Sequence, residues 1–328
     1  MSLAVLGGGS WGTALAAHLC RAGQEVRLWL RQGAVAAEIN ESRRNSAYLP
    51  GIELPPALQA TVDLREAVAG AETAFVVIPS EFCRDVYRRL RDVVAPATAI
   101  VSCTKGIEID TLRRMTEVAA EEVPGRSLAV LSGPSFALEV AREQPTTVVV
   151  ASTETRVAES VQRLVSTRTF RAYSSADVVG VELAGSLKNV IAIAAGIVDG
   201  LGYGHNTVAA LVTRGLAEIA RLAVAHGARA DTLSGLAGLG DLVLTCTGAL
   251  SRNRRVGQLL GAGRSLAEAT SETRMVAEGV RTTLAACALA ERMGIEMPIS
   301  AQMREVLYRG RPPREAVEAL MLRTLKRE

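Results

Sequence analysis

Aromatic residues make up only 3% of this 328-residue chain, and lysine is scarcer still. With 48% hydrophobic residues, the core has to be built from Ala, Leu and Val. Without aromatics there is no stacking platform for bases. The net charge is only +3, and the arginines lie among Asp and Glu with no long basic block. Both absences exclude a nucleic-acid partner. No apolar run free of charge and glycine reaches about 18 residues, so no membrane insertion is expected. The N-terminal MSLAVLGGGSWGTALAAHLC lacks a basic start, and its glycines interrupt the apolar run, so it does not read as a secretion signal. The cysteines (Cys20, Cys83, Cys103, Cys246, Cys287) are odd in number and never form C-x-x-C. That excludes a disulfide framework or zinc site and points to reduced thiols in the cytoplasm. His18, His205 and His226 sit in no ligand pattern, so no metal is expected.

The shortage of lysine is itself informative. Of 37 basic residues only Lys105, Lys188 and Lys326 are lysine. Arginine stays protonated, whereas lysine can be tuned to give and take a proton. Lys326 lies in a polar tail, so Lys105 and Lys188 are the two that need a reason.

The length allows two domains. Up to about residue 175, short apolar runs alternate with amphipathic ones: strands at 3–7, 25–31, 73–80, 98–106, 127–135, 145–152 and 169–175, with helices at 13–22, 81–94 and 110–122. Continuous apolar strands separated by helices predict a parallel sheet covered on both faces. From residue 176 onward the chain is Ala/Leu-rich with helical spacing, at about 178–198, 206–227, 252–262, 276–293 and 300–309. We expect a fold of the α/β class: a Rossmann-like doubly wound domain (1–175) followed by an all-helical domain (176–328).

Gly7, Gly9 and Gly12 match G-x-G-x-x-G between a strand and a helix. In that context Gly7 permits the tight turn and Gly9 lets backbone approach a pyrophosphate. Gly12 lets helix pack on strand, and the helix N-terminus faces the phosphates. The plain alternative is a Gly-rich turn. The second strand ends Leu30-Arg31-Gln32, without the carboxylate that an NAD-preferring site uses for the ribose. Arg31 suits a 2′-phosphate, so NADPH should serve at least as well as NADH; the alternative is a solvated strand end.

Lys105 follows the strand ending in SCTKG, at the edge where open α/β sheets bind ligands, and SGPS (132–135) reaches the same edge. Lys188 sits inside LAGSLKNVIAIAAG, where helical spacing surrounds it mostly with small residues such as Ala184, Gly185, Ala192 and Ala195. That leaves room for a ligand; the alternative is a lysine snorkelling to water. A desolvated lysine can protonate a developing alkoxide. Asp241, after the Gly-rich GLAGLG read as mobile, is placed to hold Lys188 charged and oriented. In SRNRR, Ser251 is an N-cap with Arg252 and Asn253 in the first turn. Helix N-terminus, hydroxyl, amide and guanidinium suit a phosphate dianion, although a capped helix with exposed arginines reads equally well.

Together GGGSWGTALA, VIPS, CTKGIE, LSGPSFA, GVELAGSLKNVIAIAAGIVDGLGYG, TRGLAE, GLAGLGDLVLTCTG, SRNRR, VAEG and EMPI resemble, in order, the soluble NAD(P)-dependent glycerol-3-phosphate dehydrogenases of the bacterial type. The resemblance covers nearly the whole chain. It implies a 6-phosphogluconate-dehydrogenase-like pairing of domains with the site in the cleft, and NADP or NAD as cofactor. It implies Lys188 as general acid/base, with Lys105, Gly133, Ser135, Asp241, Ser251, Arg252 and Asn253 on a small phosphorylated substrate. Cofactor contacts would come from Gly7, Gly9, Ser10, Trp11, Gly12, Arg31, Lys105, Ala137, Arg252, Val276 and Glu278. The implied reaction is the reversible reduction of dihydroxyacetone phosphate, and we expect a homodimer through the helical domain. One rival keeps the fold but acts on 3-hydroxy acids or ketopantoate; SRNRR argues against it, since a carboxylate needs no dianion site. A non-catalytic dinucleotide sensor would need neither lysine nor Asp241.

Overall fold

Alternation along the first strand sets up the architecture. In β1 (Ser2–Leu6), Leu3 and Val5 face one core, while Ala4 and Leu6 face another. The computed structural model describes residues 1–271 and 277–325. It divides into two compact units, Met1–Lys105 with Arg113–Glu182, and Gly106–Leu112 with Leu183–Glu328.

In the first unit β1 is followed by α1 (Ser10–Arg21), β2 (Glu25–Trp29), α2 (Gly33–Ser42), β3 (Gln59–Thr61), α3 (Leu64–Val68) and β4 (Thr73–Val76). Then come α4 (Cys83–Leu90), β5 (Ala99–Ser102), α5 (Met115–Glu122), β6 (Leu128–Ser132), α6 (Ala137–Ala141), β7 (Thr146–Ala151), α7 (Thr155–Val165) and β8 (Phe170–Ser175). The strands form one sheet, ordered β3-β2-β1-β4-β5-β6-β7-β8. Residues from α1, α2, α6 and α7 bury one face, and α3, α4 and α5 the other. This is the doubly wound arrangement that the alternating runs imply.

The parallel expectation needs one correction: β7 runs antiparallel to β6. The reason lies in the connection. Its only helix, α6, has five residues and spans about 7.5 Å at 1.5 Å per residue. That is shorter than a strand, so α6 does not carry the chain back to the far edge, as the helix of a parallel crossover does. β8 then pairs parallel to β7. Several elements escaped the sequence reading, among them β3, with three residues, and α3 and α6, with five each. Segments this short show no period.

The second unit is helical. It contains most of α8 (Val178–Gly200), then α9 (His205–Ala225), α10 (Ala230–Ser234), a π-helical turn (Leu236–Gly240) and α11 (Asp241–Thr247). α12 (Arg252–Gly261), α13 (Leu266–Ser271), α14 (Glu278–Met293), α15 (Pro298–Arg309) and α16 (Pro313–Met321) follow. α8 is long and apolar enough to cross a membrane, but its apolar window is entirely buried in protein. It packs backbone to backbone on α12. A methyl group at Gly196 would lie 2.0 Å from the Arg254 carbonyl oxygen, and one at Gly257 2.0 Å from that of Ile193. The Gly-rich GLAGLG is not a mobile loop. It coils into the π turn, where a methyl at Gly238 would strike the Leu233 carbonyl oxygen at 2.0 Å. Gly238 thus serves close packing.

Glu218, buried in α9, caps a different helix. Its carboxylate accepts from the Ile299 and Ser300 N–H groups (2.5 and 3.2 Å) at the start of α15. Burial pushes its pKa up to about 6 from 4.5, against the pull of those N–H groups. A raised folded value means that its contribution to stability is fully present below 4.5 and is lost as pH rises through about 6. Relative to Glu218→Gln, which cannot titrate there, the wild type should therefore gain about 2 kcal/mol of stability between pH 7 and pH 4.5. Denaturant melts of both proteins at the two pH values test this, and a pH-independent difference would refute it.

Candidate active site

The first unit carries the glycine cradle. Gly7 leaves β1 at φ +131°, a conformation open to glycine, and its N–H donates to the Trp29 carbonyl at 2.8 Å. A methyl there would lie 2.1 Å from the Val77 carbonyl oxygen, and one at Gly12 only 1.8 Å from that of Gly7. Gly9, at the N-cap of α1, is different: a methyl would meet nothing within 4 Å. So Gly7 and Gly12 let strand, turn and helix close up, and open space lies beside Gly9 at the N-terminus of a twelve-residue helix. That space, at the positive end of the helix dipole, fits a pyrophosphate. Ser10 and Trp11 open the helix. The Ser10 hydroxyl donates to the Tyr48 carbonyl at 2.5 Å, and Trp11 packs partly buried on the core.

Arg31 lies just beyond β2, exposed, with its guanidinium 4.8 Å from the centre of the Phe82 ring. Stacking on an aromatic face holds the group while keeping its charge. No carboxylate has replaced it at the strand end. Lys105 and Ser135 converge on one acceptor, since the Lys105 ammonium and the Ser135 hydroxyl each donate to the Gly133 carbonyl at 3.0 Å. Gly133 has φ +135° and abuts Val148, so a side chain is excluded twice over. Ala137 begins α6 and packs partly buried against the α1 face.

The second unit gathers the other expected residues. Lys188, in the apolar middle of α8, is 5% exposed. Its ammonium donates to Asp241 Oδ1 at 2.7 Å and to Thr245 Oγ1 at 2.6 Å. Asp241 begins α11, and Thr245 lies one turn on. The Thr245 hydroxyl donates to the Asp241 carbonyl at 2.7 Å, which turns its lone pairs toward the ammonium. A lone buried ammonium would be intolerable; here the carboxylate and the hydroxyl offset its lost hydration. The snorkelling alternative is excluded by this burial. Sequence reading missed Thr245, although its place four residues after Asp241 on one helix was the available signal. Cys246 next door takes no part as a nucleophile, because burial pushes its thiol up to about 12.

At the start of α12, Ser251 is the N-cap and its hydroxyl accepts from the Arg254 N–H at 3.2 Å. Arg252 is exposed at the first helical position. Surrounding protein lowers its pKa and Glu278 raises it, but a guanidinium stays charged through either effect. Asn253 is buried, with both ends of its amide engaged: Nδ2 donates to Asn189 Oδ1, and Oδ1 accepts from the Gly279 N–H, each at 2.9 Å. Its side chain therefore braces the helix, while the backbone of the first turn and Arg252 remain for an anion. Glu278 opens α14, and Val276 lies outside the described residues.

Known proteins match along the chain. Residues 2–158 fit the N-terminal model of the NAD-dependent glycerol-3-phosphate dehydrogenases, and residues 177–318 fit the C-terminal one. A glycerol-3-phosphate dehydrogenase [NAD(P)+] from Geobacter sulfurreducens is 53% identical over 329 aligned residues, covering 99% of this chain and 98% of the relative. The crystal structure of glycerol-3-phosphate dehydrogenase from Coxiella burnetii superposes with a TM-score of 0.95 at 42% identity, covering 98% of this chain and 99% of that one. A ketopantoate reductase from Ralstonia eutropha reaches a TM-score of 0.60 at 16% identity, covering 97% of this chain and all of that one, which is a likeness of fold alone. With both family models matched and relatives aligned from end to end, the chain belongs to the NAD-dependent glycerol-3-phosphate dehydrogenase family.

Proposed function

We propose that the protein catalyses the reversible reduction of dihydroxyacetone phosphate to sn-glycerol 3-phosphate with NAD(P)H, making the backbone for glycerophospholipids. The observation that carries this reading is Lys188, a buried ammonium held by Asp241 and Thr245 on the same unit as the Ser251–Arg252 helix start. The nicotinamide, when bound, supplies the hydride. What the chain supplies is the proton. As charge develops on the carbonyl oxygen of the substrate, Nζ of Lys188 donates to it, and Asp241 and Thr245 keep that nitrogen aimed. In the reverse direction the same nitrogen takes the proton back. The phosphate is held by the backbone N–H groups of the first turn of α12, the Ser251 hydroxyl and the Arg252 guanidinium. A carboxylate substrate would not need that dianion site, and a dinucleotide sensor would need no buried proton donor.

We assign residues 1–175 to the cofactor domain and 176–328 to the substrate domain. Gly7, Gly9, Ser10, Trp11, Gly12, Arg31 and Ala137 would hold the cofactor in the first, with Lys105, Gly133 and Ser135 on the substrate. Arg252, Val276 and Glu278 would add cofactor contacts from the second. The free, buried cysteines support a cytoplasmic setting. A second copy of the chain would cover apolar side chains exposed on the helical unit, such as Leu239, Val243 and Leu250.

The reaction is tested by mixing the protein with dihydroxyacetone phosphate and following reduced-nicotinamide absorbance; absence of oxidation would overturn the reading. Lys188→Ala should lower turnover about 10²–10⁴-fold and leave NADPH binding intact. A variant that keeps its rate would remove Lys188 from the chemistry. Arg31→Ala should raise the KM for NADPH and leave that for NADH nearly unchanged; equal effects on both would make Arg31 a general contact. Sedimentation equilibrium should give twice the 34.6 kDa chain mass, and a single-chain mass would dismiss the dimer.

A further inference from the structure

Three functional candidates are each followed in sequence by a residue of one buried network. Lys188 precedes Asn189, Arg252 precedes Asn253, and Glu278 precedes Gly279. Asn253 donates to Asn189 at 2.9 Å and accepts from the Gly279 N–H at 2.9 Å, so the network ties α8, α12 and the start of α14 together. Its orientation is not free. The Gly279 N–H can only donate, so Asn253 must turn its oxygen to it. The Asn253 NH₂ then faces α8, and Asn189 must answer with its oxygen. Packing confirms how tight the junction is: a methyl at Gly279 would lie 2.5 Å from the Asn189 carbonyl oxygen. Asn189 and Asn253 are 5% and 9% exposed, so water does not readily replace a lost partner.

We propose that Asn189 is a positioning residue that sets the register between the acid/base helix α8 and the phosphate helix α12. Asn189 needs no contact with the substrate for this. Its side-chain oxygen holds Asn253, and the backbone on either side of the pair carries Lys188 and Arg252. The glycines of α8 and α12 let the two helices meet; the amide pair selects the rotation at which they do so. A phosphate gripped by Arg252 then places the carbonyl at the reach of Lys188. If the register slips, binding of the phosphate no longer serves proton transfer, and a misplacement of about 1 Å costs on the order of 10²-fold in rate.

The inference rests on the dehydrogenase reading, and one comparison separates the two. Dihydroxyacetone carries the reacting ketone and both hydroxyls but no phosphate. The wild type should reduce dihydroxyacetone phosphate with a far higher kcat/KM than dihydroxyacetone; a wild type that does not would overturn the dehydrogenase reading itself. In Asn189→Ala the ratio of the two kcat/KM values should shrink by about 10²-fold, because the phosphate loses its lever on the chemistry. A structural defect that merely lowers the active fraction, or an Asn189 that touches the substrate hydroxyl, would lower both substrates alike, and an unchanged ratio refutes the proposal. Asn189→Asp keeps an oxygen facing Asn253 and should retain most of the wild-type ratio, whatever its added charge does to both rates. Loss of the ratio in the Asp variant as well would also count against the proposal.

Discussion

An ammonium stripped of water costs several kcal/mol unless partners replace its hydration, and that requirement shapes the helical unit around Lys188. The carboxylate of Asp241 has to arrive at 2.7 Å, and it arrives where the π turn passes directly into α11. The π turn of LAGLG delivers it there. Thr245 lies one turn further, close enough to share the ammonium and to bond back to its own helix. Beside that face of α8, glycine against carbonyl lets α12 come within backbone contact. Charge pairing and close packing thus act on neighbouring faces of one helix.

The chain separates two kinds of positive charge. Arginine does the static work: Arg84, Arg88 and Arg91 surround Glu122, and Arg114 holds the buried Glu182. Lysine is kept for two places only among the described residues, the Gly133 loop and the middle of α8. A guanidinium suits forks and standing charge, and an ammonium suits proton transfer. That division explains why lysine is rare here and why its scarcity pointed to the site.

The first unit solves a different problem, which is to bring phosphate near bare backbone. Gly7 and Gly12 close the turn until no side chain would fit, while Gly9 stands open. The same small-residue logic recurs at Gly133, where a left-handed turn frees a carbonyl for Lys105. The absence of a carboxylate after β2, with Arg31 stacked on Phe82 instead, belongs to the same edge of the sheet.

The sequence by itself determined the alternation of strand and helix in the first half, the change to helices near residue 176, the glycine cradle and the importance of Lys188. These are legible because they depend on local pattern: apolar period, glycine spacing, and a residue type placed against the habit of the chain. Tertiary structure alone decided the rest. The antiparallel β7 goes with a helix of only five residues before it, and strand direction leaves no trace in apolar period. Asp241 was already expected beside Lys188, whereas the hydroxyl of Thr245, 57 residues away, joined it only in the folded chain. The network of Asn189, Asn253 and Gly279 is further from view, because a buried amide has meaning only once the group opposite it is known. Hydrogen bonds between distant segments are chosen by packing, and packing is the one quantity a sequence pattern does not contain.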